Sequence, residues 1–274
     1  MIGVLIQGGL CNRLFQICFG YAMSIKYDTD FCFENWHYIL HHSNQRYEWL
    51  LERFTSFANY THVHPVTYNI AYDEKPFDVV YVENIFDSIF PKNNNIFARG
   101  YFQTEKYLID YRKEILEILK EPSYVTEYID TLNKTELGEA YFMHIRVGDY
   151  LQSPPHWVHL EKYYIRCLNL IPDNTPIYVF SNFPNDIIVH YPNIIEILKH
   201  RKTIIVNIDD EVISLYLMSR CRKGGICSNS SFSWWASWLN TNDEKKIFMP
   251  EKWYSIESNI SDIHPSYVTV IPVD

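Results

Sequence analysis

His144-Ile145-Arg146-Val147-Gly148-Asp149-Tyr150 decides how this chain is read. The stretch follows Ala140-Tyr141-Phe142-Met143, a short apolar run that fits a buried strand. His144 and Arg146 therefore fall where a strand ends and a loop begins. In an open α/β sheet, the carboxyl ends of the strands are where ligands bind. Arginine suits that place when the ligand is a phosphate, because its planar guanidinium stays charged and offers several donors in a fixed fork. Gly148 lets backbone approach a ligand closely. Taken alone, an arginine at a strand end is ordinarily a surface or salt-bridged side chain.

Downstream, the chain alternates between the two periodicities. A helix is expected at about 160–171, a strand at 176–181, a short helix near 185–191 and a strand at 203–206. A helix near 211–221, a strand at 224–228, a Trp-rich helix to about Leu239 and a strand at 247–249 follow, then an irregular tail. Strands alternating with helices imply a parallel sheet with right-handed crossovers. Upstream, residues 2–6 read as a strand, Gln7-Gly8-Gly9-Leu10-Cys11 as a turn and Asn12 as a helix cap. Leu14, Ile17, Cys18, Tyr21, Ala22 and Ile25 then recur at helical spacing to about Lys26. Strand, glycine turn, helix is how a nucleotide-binding α/β half opens. The stretch is neither Gly-x-Gly-x-x-Gly nor a P-loop, which would need a Gly-Lys-Ser/Thr.

Phe31-Cys32-Phe33 reads as a second strand. Asp28-Thr29-Asp30 before it has the spacing of a metal-binding acidic pair, although a solvated turn explains it better. Residues 35–100 resist reading, and the basic-aromatic patch His41, His42, Arg46 and Trp49 is given no role. Thr104 reads as the cap of a helix to about Leu119, with Ile109, Ile115, Leu116 and Leu119 on its buried face. Pro122 stops it and opens a second helix up to about Asn133. The polar stretch 133–139 marks the domain boundary, giving domains 1–137 and 138–274.

The 274 residues suffice for one large or two modest domains, and 47% hydrophobic with 16% aromatic content indicates a folded globular chain. A formal net charge of −9 argues against duplex nucleic acid and anionic membrane surfaces as partners, so an anionic ligand needs a local basic cluster. Cys11, Cys18, Cys32, Cys167, Cys221 and Cys227 form no CxxC pair and read as buried reduced thiols. The N-terminus reads as a strand and not a signal peptide. No apolar run approaches the ~18 residues of a membrane span. The expectation is a soluble cytoplasmic protein, with peripheral attachment to an acceptor-bearing membrane left open. Glycosylation-type triplets at Asn59, Asn133, Asn229 and Asn259 read as chance matches.

A third stretch is Ser228-Asn229-Ser230-Ser231-Phe232-Ser233-Trp234-Trp235. Gly225-Ile226-Cys227-Ser228 reads as a short strand, and Asn229-Ser230-Ser231 as caps of the helix holding Trp234, Trp235 and Trp238. Amides at such a helix start, with the positive dipole end behind them, suit a phosphate or diphosphate. Ordinary capping over a tryptophan core explains the same residues equally well. Together, the strand-end arginine, the glycine turn with Asn12 and Arg13, and the Ser-capped helix fit a nucleotide diphosphate gripped between two α/β halves.

These motifs resemble the family 11 glycosyltransferases, α-1,2-fucosyltransferases that use GDP-fucose. The family's Gly-Gly-Leu-Gly-Asn-x-x-Phe-Gln is similar to Gly8–Gln16, its Gly-Tyr-Phe-Gln-Ser-Glu-Lys-Tyr to 100–107, and its His-x-Arg-Arg-Gly-Asp-Tyr to 144–150. Its Asn-Ser-Ser-Phe-Ser-Trp-Trp-Gly-Ala-Trp-Leu resembles 229–239, and its closing Pro-x-x-Trp-Tyr/Phe resembles Pro250–Tyr254. The resemblance implies a GT-B-like α/β fold: two Rossmann-like halves with a cleft between them, the acceptor on the N-terminal side and the GDP-sugar on the C-terminal side. It implies inverting transfer of L-fucose from GDP-β-L-fucose to a hydroxyl of an oligosaccharide or glycoconjugate, with no metal and no other cofactor. Carried over, Arg146 holds the β-phosphate and His144 positions the donor or the loop. Ser181 and Asn182 stand at a donor position. Ser230, Ser231 and Phe232 line the diphosphate and guanosine pocket, and Gly9, Asn12 and Arg13 close on the donor. Asp149 is the first candidate base, then His156 and Glu161. Departures are Cys11 for a glycine, Val147 for the second arginine, Ser181-Asn182 for the Ser-Asp of many bacterial members (animal members resemble Ser-Asn), and Ser214 for an aspartate, with Asp210 or Glu211 as stand-ins. Another GDP-6-deoxyhexose as donor and an inactive GDP-sugar- or glycan-binding module stay open as alternatives; a nicotinamide oxidoreductase lacks its glycine fingerprint.

Overall fold

The computed structural model describes residues 1–34, 47–61, 66–88 and 94–274. The chain divides into two compact units, 1–122 with 259–265, and 123–258 with 266–274. The break thus falls at 122/123 and not at the expected 137/138. The stretch read as a polar linker is a short helix, and the helix before it packs with the second unit, as given below.

In the first unit, β1 (Ile2–Leu5) leads through the glycine turn into α1 (Leu10–Lys26) and back to β2 (Phe31–Glu34). α2 (Tyr47–Arg53), β3 (Ile70–Asp73), β4 (Ile96–Arg99) and α3 (Arg112–Ile118) follow. All strand pairs are parallel, in the order β2-β1-β4-β3. β1 is buried along its whole length, as a central parallel strand covered on both faces must be. β3 and β4 were not legible: β4 offers only three buried apolar residues, and β3 alternates at half burial on the sheet edge. The expected helix from Thr104 is broken. Thr104 does cap, accepting from the Lys106 amide, but the turn it caps is a 3-10 helix over Glu105–Tyr107, and a second spans Ile109–Tyr111. Thr104, Glu105, Tyr107 and Leu108 are all buried, and the three-residue turn serves this better than an α-helix. Ile109 is exposed, while Ile115 and Leu119 are buried as expected. Asp28–Asp30 form the exposed turn between α1 and β2, with Asp28 left-handed at φ 46°. His41, His42 and Arg46 lie outside the described residues; Trp49 carries the Arg53 guanidinium over its ring at 4.6 Å.

The second unit opens with α4 (Ser123–Asp130) and α5 (Lys134–Glu139), the latter capped by Asn133, whose side chain accepts from the Glu136 amide. Then come β5 (Tyr141–Ile145), α6 (Glu161–Asn169), β6 (Ile177–Ser181), α7 (Pro184–His190), α8 (Pro192–Lys199) and β7 (Thr203–Ile205). α9 (Glu211–Arg220), β8 (Gly224–Ile226), α10 (Ser231–Leu239), β9 (Lys246–Pro250) and β10 (Val268–Ile271) complete it. α4 buries Val125 and Ile129 and packs against α9. The sheet is parallel throughout, in the order β10-β9-β8-β5-β6-β7. The supposed irregular tail contains an edge strand, β10, in register with β9 from Val268 opposite Ile247 to Ile271 opposite Pro250. α8 starts at Pro192, a helix-opening residue, and buries Ile194 and Leu198 four residues apart. α10 buries Trp234, Trp235 and Trp238 completely.

All six cysteines are buried free thiols. Among the described residues no helix is long and apolar enough to cross a membrane.

Candidate functional site

From β5 the second sheet winds one way through β6 to β7, then returns to the other side of β5 and winds on through β8, β9 and β10. The direction reverses between β5 and β8, and ligands of open α/β sheets bind outside the carboxyl ends of the strands at such a switch point. The two ends that meet there are His144–Arg146 and Ile226–Ser230, so the tertiary structure joins two stretches far apart in sequence.

His144 is the fastening between them. It is 3% exposed, and its Nδ1 shares a 3.0 Å hydrogen bond with the Ser228 hydroxyl. The Tyr164 hydroxyl donates to the His144 carbonyl at 3.0 Å. Burial, reinforced by the Arg146 charge, pushes the imidazole down to about 3, so the ring is neutral at ordinary pH. The ring also packs at 5.5 Å from Phe232.

Arg146 sits over the Tyr150 ring, 5.0 Å from its centroid. One terminal nitrogen, Nη2, donates to Asp149 Oδ2 at 2.8 Å, while its Nε is buried with no hydrogen-bond partner. A buried guanidinium nitrogen without an acceptor is costly, which is the physical signature of a donor held for something else. The Tyr150 hydroxyl donates to the Asn229 carbonyl at 3.3 Å, and Ser230 is a further neighbour of the phenol. Tyr150 therefore spans from the arginine to the start of α10. There Ser230, 4% exposed, caps the helix by accepting from the Phe232 amide at 3.3 Å. Ser231 and Phe232 are half-buried in the first turn. Asn229 is buried and donates to the His156 and Trp253 carbonyls at 2.9 and 2.8 Å, which anchors this corner.

The remaining expected residues fare unequally. Asn182 accepts from the Val147 amide and donates to the Val147 carbonyl, each at 3.1 Å, and to Asp149 Oδ1 at 3.2 Å. Its amide is consumed in holding the 146–149 loop. Ser181 accepts from the Phe183 amide. Gly148 has φ +65°, and a Cβ there would lie 2.1 Å from the Phe183 ring, so the loop requires glycine on both counts. Val147 is fully buried in the core, so its position is an apolar packing site. His156 shares a 2.7 Å hydrogen bond with Ser153 and packs near Tyr150 and Tyr254. Glu161 secures the start of α8, where its two oxygens accept from the amide and side chain of Asn193, each at 3.1 Å. Asp210 caps α9 through the Val212 and Ile213 amides.

The first unit has its own switch point, between β1 and β4. α1 begins at Leu10 with Gly9 as N-cap, so Asn12 lies inside the helix and is not the expected cap. Asn12 Oδ1 accepts from Gln103 at 2.9 Å, and Arg13, 7% exposed, donates from Nε to the Gly8 carbonyl at 2.9 Å. The left-handed residue is Gly8, at φ +79°; Cys11 is helical, so its missing glycine costs nothing. Buried Gln16 accepts from the Gln7 amide and donates to the Gly100 carbonyl. Glu74 Oε2 accepts from the Tyr101 and Phe102 amides, and Phe102 is left-handed at φ 52°. Burial raises the Glu74 carboxyl above its ordinary range. A Cβ on Gly9 would meet nothing within 4 Å.

Sequence reasoning gave Tyr150 and Ser228 no role of their own, and Asn229 only that of a helix cap. Tyr150 stands in the decisive heptapeptide, four residues past Arg146, but only the 3-10 turn Gly148–Gln152 brings the two together.

A parallel α/β unit whose switch point pairs a strand-end arginine with a Ser-capped helix start has the architecture in which open α/β sheets bind their ligands. The model of glycosyl transferase family 11 matches residues 68–262, well over half of the chain, and the chain belongs to that family. The glycine turn at 8–9 lies outside the matched span. Among curated proteins, the chain is 27% identical over 171 residues to an α-1,2-colitosyltransferase of Escherichia coli, 58% of this chain and 56% of that protein. It is 28% identical over 173 residues to the O-antigen biosynthesis glycosyltransferase WbnK of E. coli, 57% of this chain and 54% of that protein. The matches thus span little more than half the length of those relatives. Among solved structures, an arginine-to-lysine variant of Arabidopsis thaliana FUT1 in complex with GDP aligns with TM-score 0.49 and 13% identity, over 90% of this chain and 69% of that one. POFUT1 in complex with GDP-fucose aligns with TM-score 0.48 and 15% identity, over 93% and 98%.

Proposed function

We propose that this protein is an inverting glycosyltransferase that moves L-fucose from GDP-β-L-fucose to a hydroxyl of a glycan acceptor, α-1,2 to galactose or a similar sugar, without a metal ion. The observation that carries the reading is Arg146: a guanidinium at the switch point, braced by Asp149 and Tyr150, with Nε unpartnered. Family membership and the names of the two E. coli relatives support sugar transfer.

In this reaction the bond from the sugar's anomeric carbon to the β-phosphate breaks as the acceptor oxygen attacks from the opposite face. The sugar passes through an oxocarbenium-like state, and negative charge grows on the departing GDP. Arg146 and the first-turn amides of α10 offset that charge, and such prearranged donors are usually the largest catalytic contribution. Neutral His144 adds no charge; it keeps β5 and the Ser228–Ser231 corner in register. Phe232 lies beside that corner as a flat apolar surface for the guanine. The acceptor hydroxyl's proton goes to a carboxylate or imidazole. Asp149, half exposed and at the switch point beside Arg146, comes first, then His156, with Glu161, which secures the start of α8, last.

The test is GDP titration by calorimetry, then transfer from a panel of nucleotide sugars to galactosides in the presence of EDTA, with the product linkage read by NMR. Micromolar GDP binding and EDTA-resistant α-1,2 fucosylation are expected. Loss of activity in EDTA would overturn metal independence, and absence of GDP binding would overturn the donor. A second donor has one observation behind it, the colitosyl group in a relative's name. Preference for another GDP-deoxyhexose in the same panel would select it.

A further inference from the structure

We propose that Tyr150 is a positioning residue, the brace that sets Arg146 at the height of the α10 start and so tunes the grip on a nucleoside diphosphate. The inference rests on the reading of Arg146 as the phosphate-binding side chain. Tyr150 touches both halves of the switch point through a single rigid side chain. Its ring lies under the guanidinium at 5.0 Å, and its hydroxyl reaches the Asn229 carbonyl at 3.3 Å. The residue that carries that carbonyl is anchored, because the Asn229 side chain donates to the His156 and Trp253 carbonyls. The ring is further wedged by His156 at 5.3 Å. The guanidinium is also held by Asp149, which Asn182 holds in turn. An arginine side chain left to itself samples many rotamers, and ordering it on binding weakens binding. With ring and carboxylate both in place, the guanidinium is already ordered, and an aromatic face supports its charge without supplying an acceptor that would compete with a phosphate.

The experiment is a double-mutant cycle on GDP affinity by calorimetry, with wild type, Arg146→Ala, Tyr150→Leu, the double variant and Tyr150→Phe. Tyr150→Leu is expected to weaken GDP about tenfold, and Tyr150→Phe, which keeps the ring, about threefold or less. The double variant should bind no more weakly than Arg146→Ala alone, because without the guanidinium the brace has nothing to hold. A merely structural tyrosine would give additive losses, or a thermal destabilisation with unchanged GDP affinity, and either result overturns the proposal. Wild-type affinity in Tyr150→Leu does the same. If Tyr150→Leu fails to fold, Tyr150→Phe decides through its own cycle with Arg146→Ala, where additive losses again refute the proposal. Normal GDP binding by Arg146→Ala is a different failure: it removes the parent reading, and the brace falls with it.

Discussion

The two units present the same device twice and finish it differently. Each has a parallel sheet whose winding direction reverses beside a central strand, β1 in one and β5 in the other. In the N-terminal unit the polar groups at the reversal are largely spent on the protein itself. Gln16 ties the Gln7 amide to the Gly100 carbonyl, Gln103 ties to Asn12, Arg13 to Gly8, and Glu74 holds the Tyr101–Phe102 backbone. In the C-terminal unit the wiring stops one bond short: His144, Tyr150, Asn182 and Asn229 are satisfied, and Arg146 Nε is not. Topology marks where a ligand can bind, and an unspent donor is what the proposed site adds to it.

The contrast breaks most easily at Arg146. Arg146→Ala should lower transfer from the nucleotide sugar by roughly 100-fold or more, the scale of a lost charge-stabilising donor, with little change in thermal unfolding. Turnover within a fewfold of wild type, measured at saturating acceptor, would show that the unpartnered nitrogen has no part in the chemistry.

Next comes pH. Above about 6.5 a histidine is neutral in both folded and unfolded chains. As pH falls, the unfolded chain takes a proton near 6.5, whereas buried His144 refuses one until about 3. Its contribution to stability is therefore complete above 6.5 and is lost progressively toward 3. The loss amounts to up to about 1.4 kcal/mol per pH unit in that window. Denaturant unfolding of wild type and His144→Asn from pH 6.5 to 4 should differ in slope by about one proton. Parallel curves would mean that the ring titrates freely and does not lock the corner.

In the N-terminal unit the largest effect should be on stability. Gln16→Leu leaves the half-buried Gln7 amide and Gly100 carbonyl without their partner, a loss of about 1–3 kcal/mol in unfolding free energy. A loss below ~0.5 kcal/mol would show that this network is not what closes the first switch point.

The smallest expected stability change sharpens the comparison most. Gly9 has φ −71°, and a Cβ there meets open space, so Gly9→Ala should alter stability by about 0.5 kcal/mol or less. If turnover nonetheless falls tenfold, something outside the protein needs that space, and the glycine turn is a ligand surface in spite of its closed wiring. Unchanged turnover would leave the turn purely architectural.

The long apolar strands and helical repeats of the C-terminal half were legible, because a parallel strand buried on both faces is a continuous apolar run and the helices between keep their period. β3, β4 and β10 were not. β3 and β10 lie on sheet edges at half burial, and β4 offers only three buried apolar residues, so their neighbours and not their composition make them strands. Asn12 looked like a cap because its residue type suits one, yet Gly9 begins the helix three residues earlier. Glu161 and Asn182 looked available by position, but Asn193 and Val147 had claimed them through contacts of long sequence separation.

By itself the sequence determined the class of fold, the strand ends at which chemistry gathers, and the side-chain types present there, since these follow from local periodicity and from what arginine, serine and glycine can do anywhere. Only the tertiary structure decided which of those groups remain free for a ligand. Hydrogen-bonding capacity is finite and is shared among residues far apart in the chain. Whether Arg146 keeps a donor in hand while Glu161 and Asn182 do not is therefore settled by their neighbours in space.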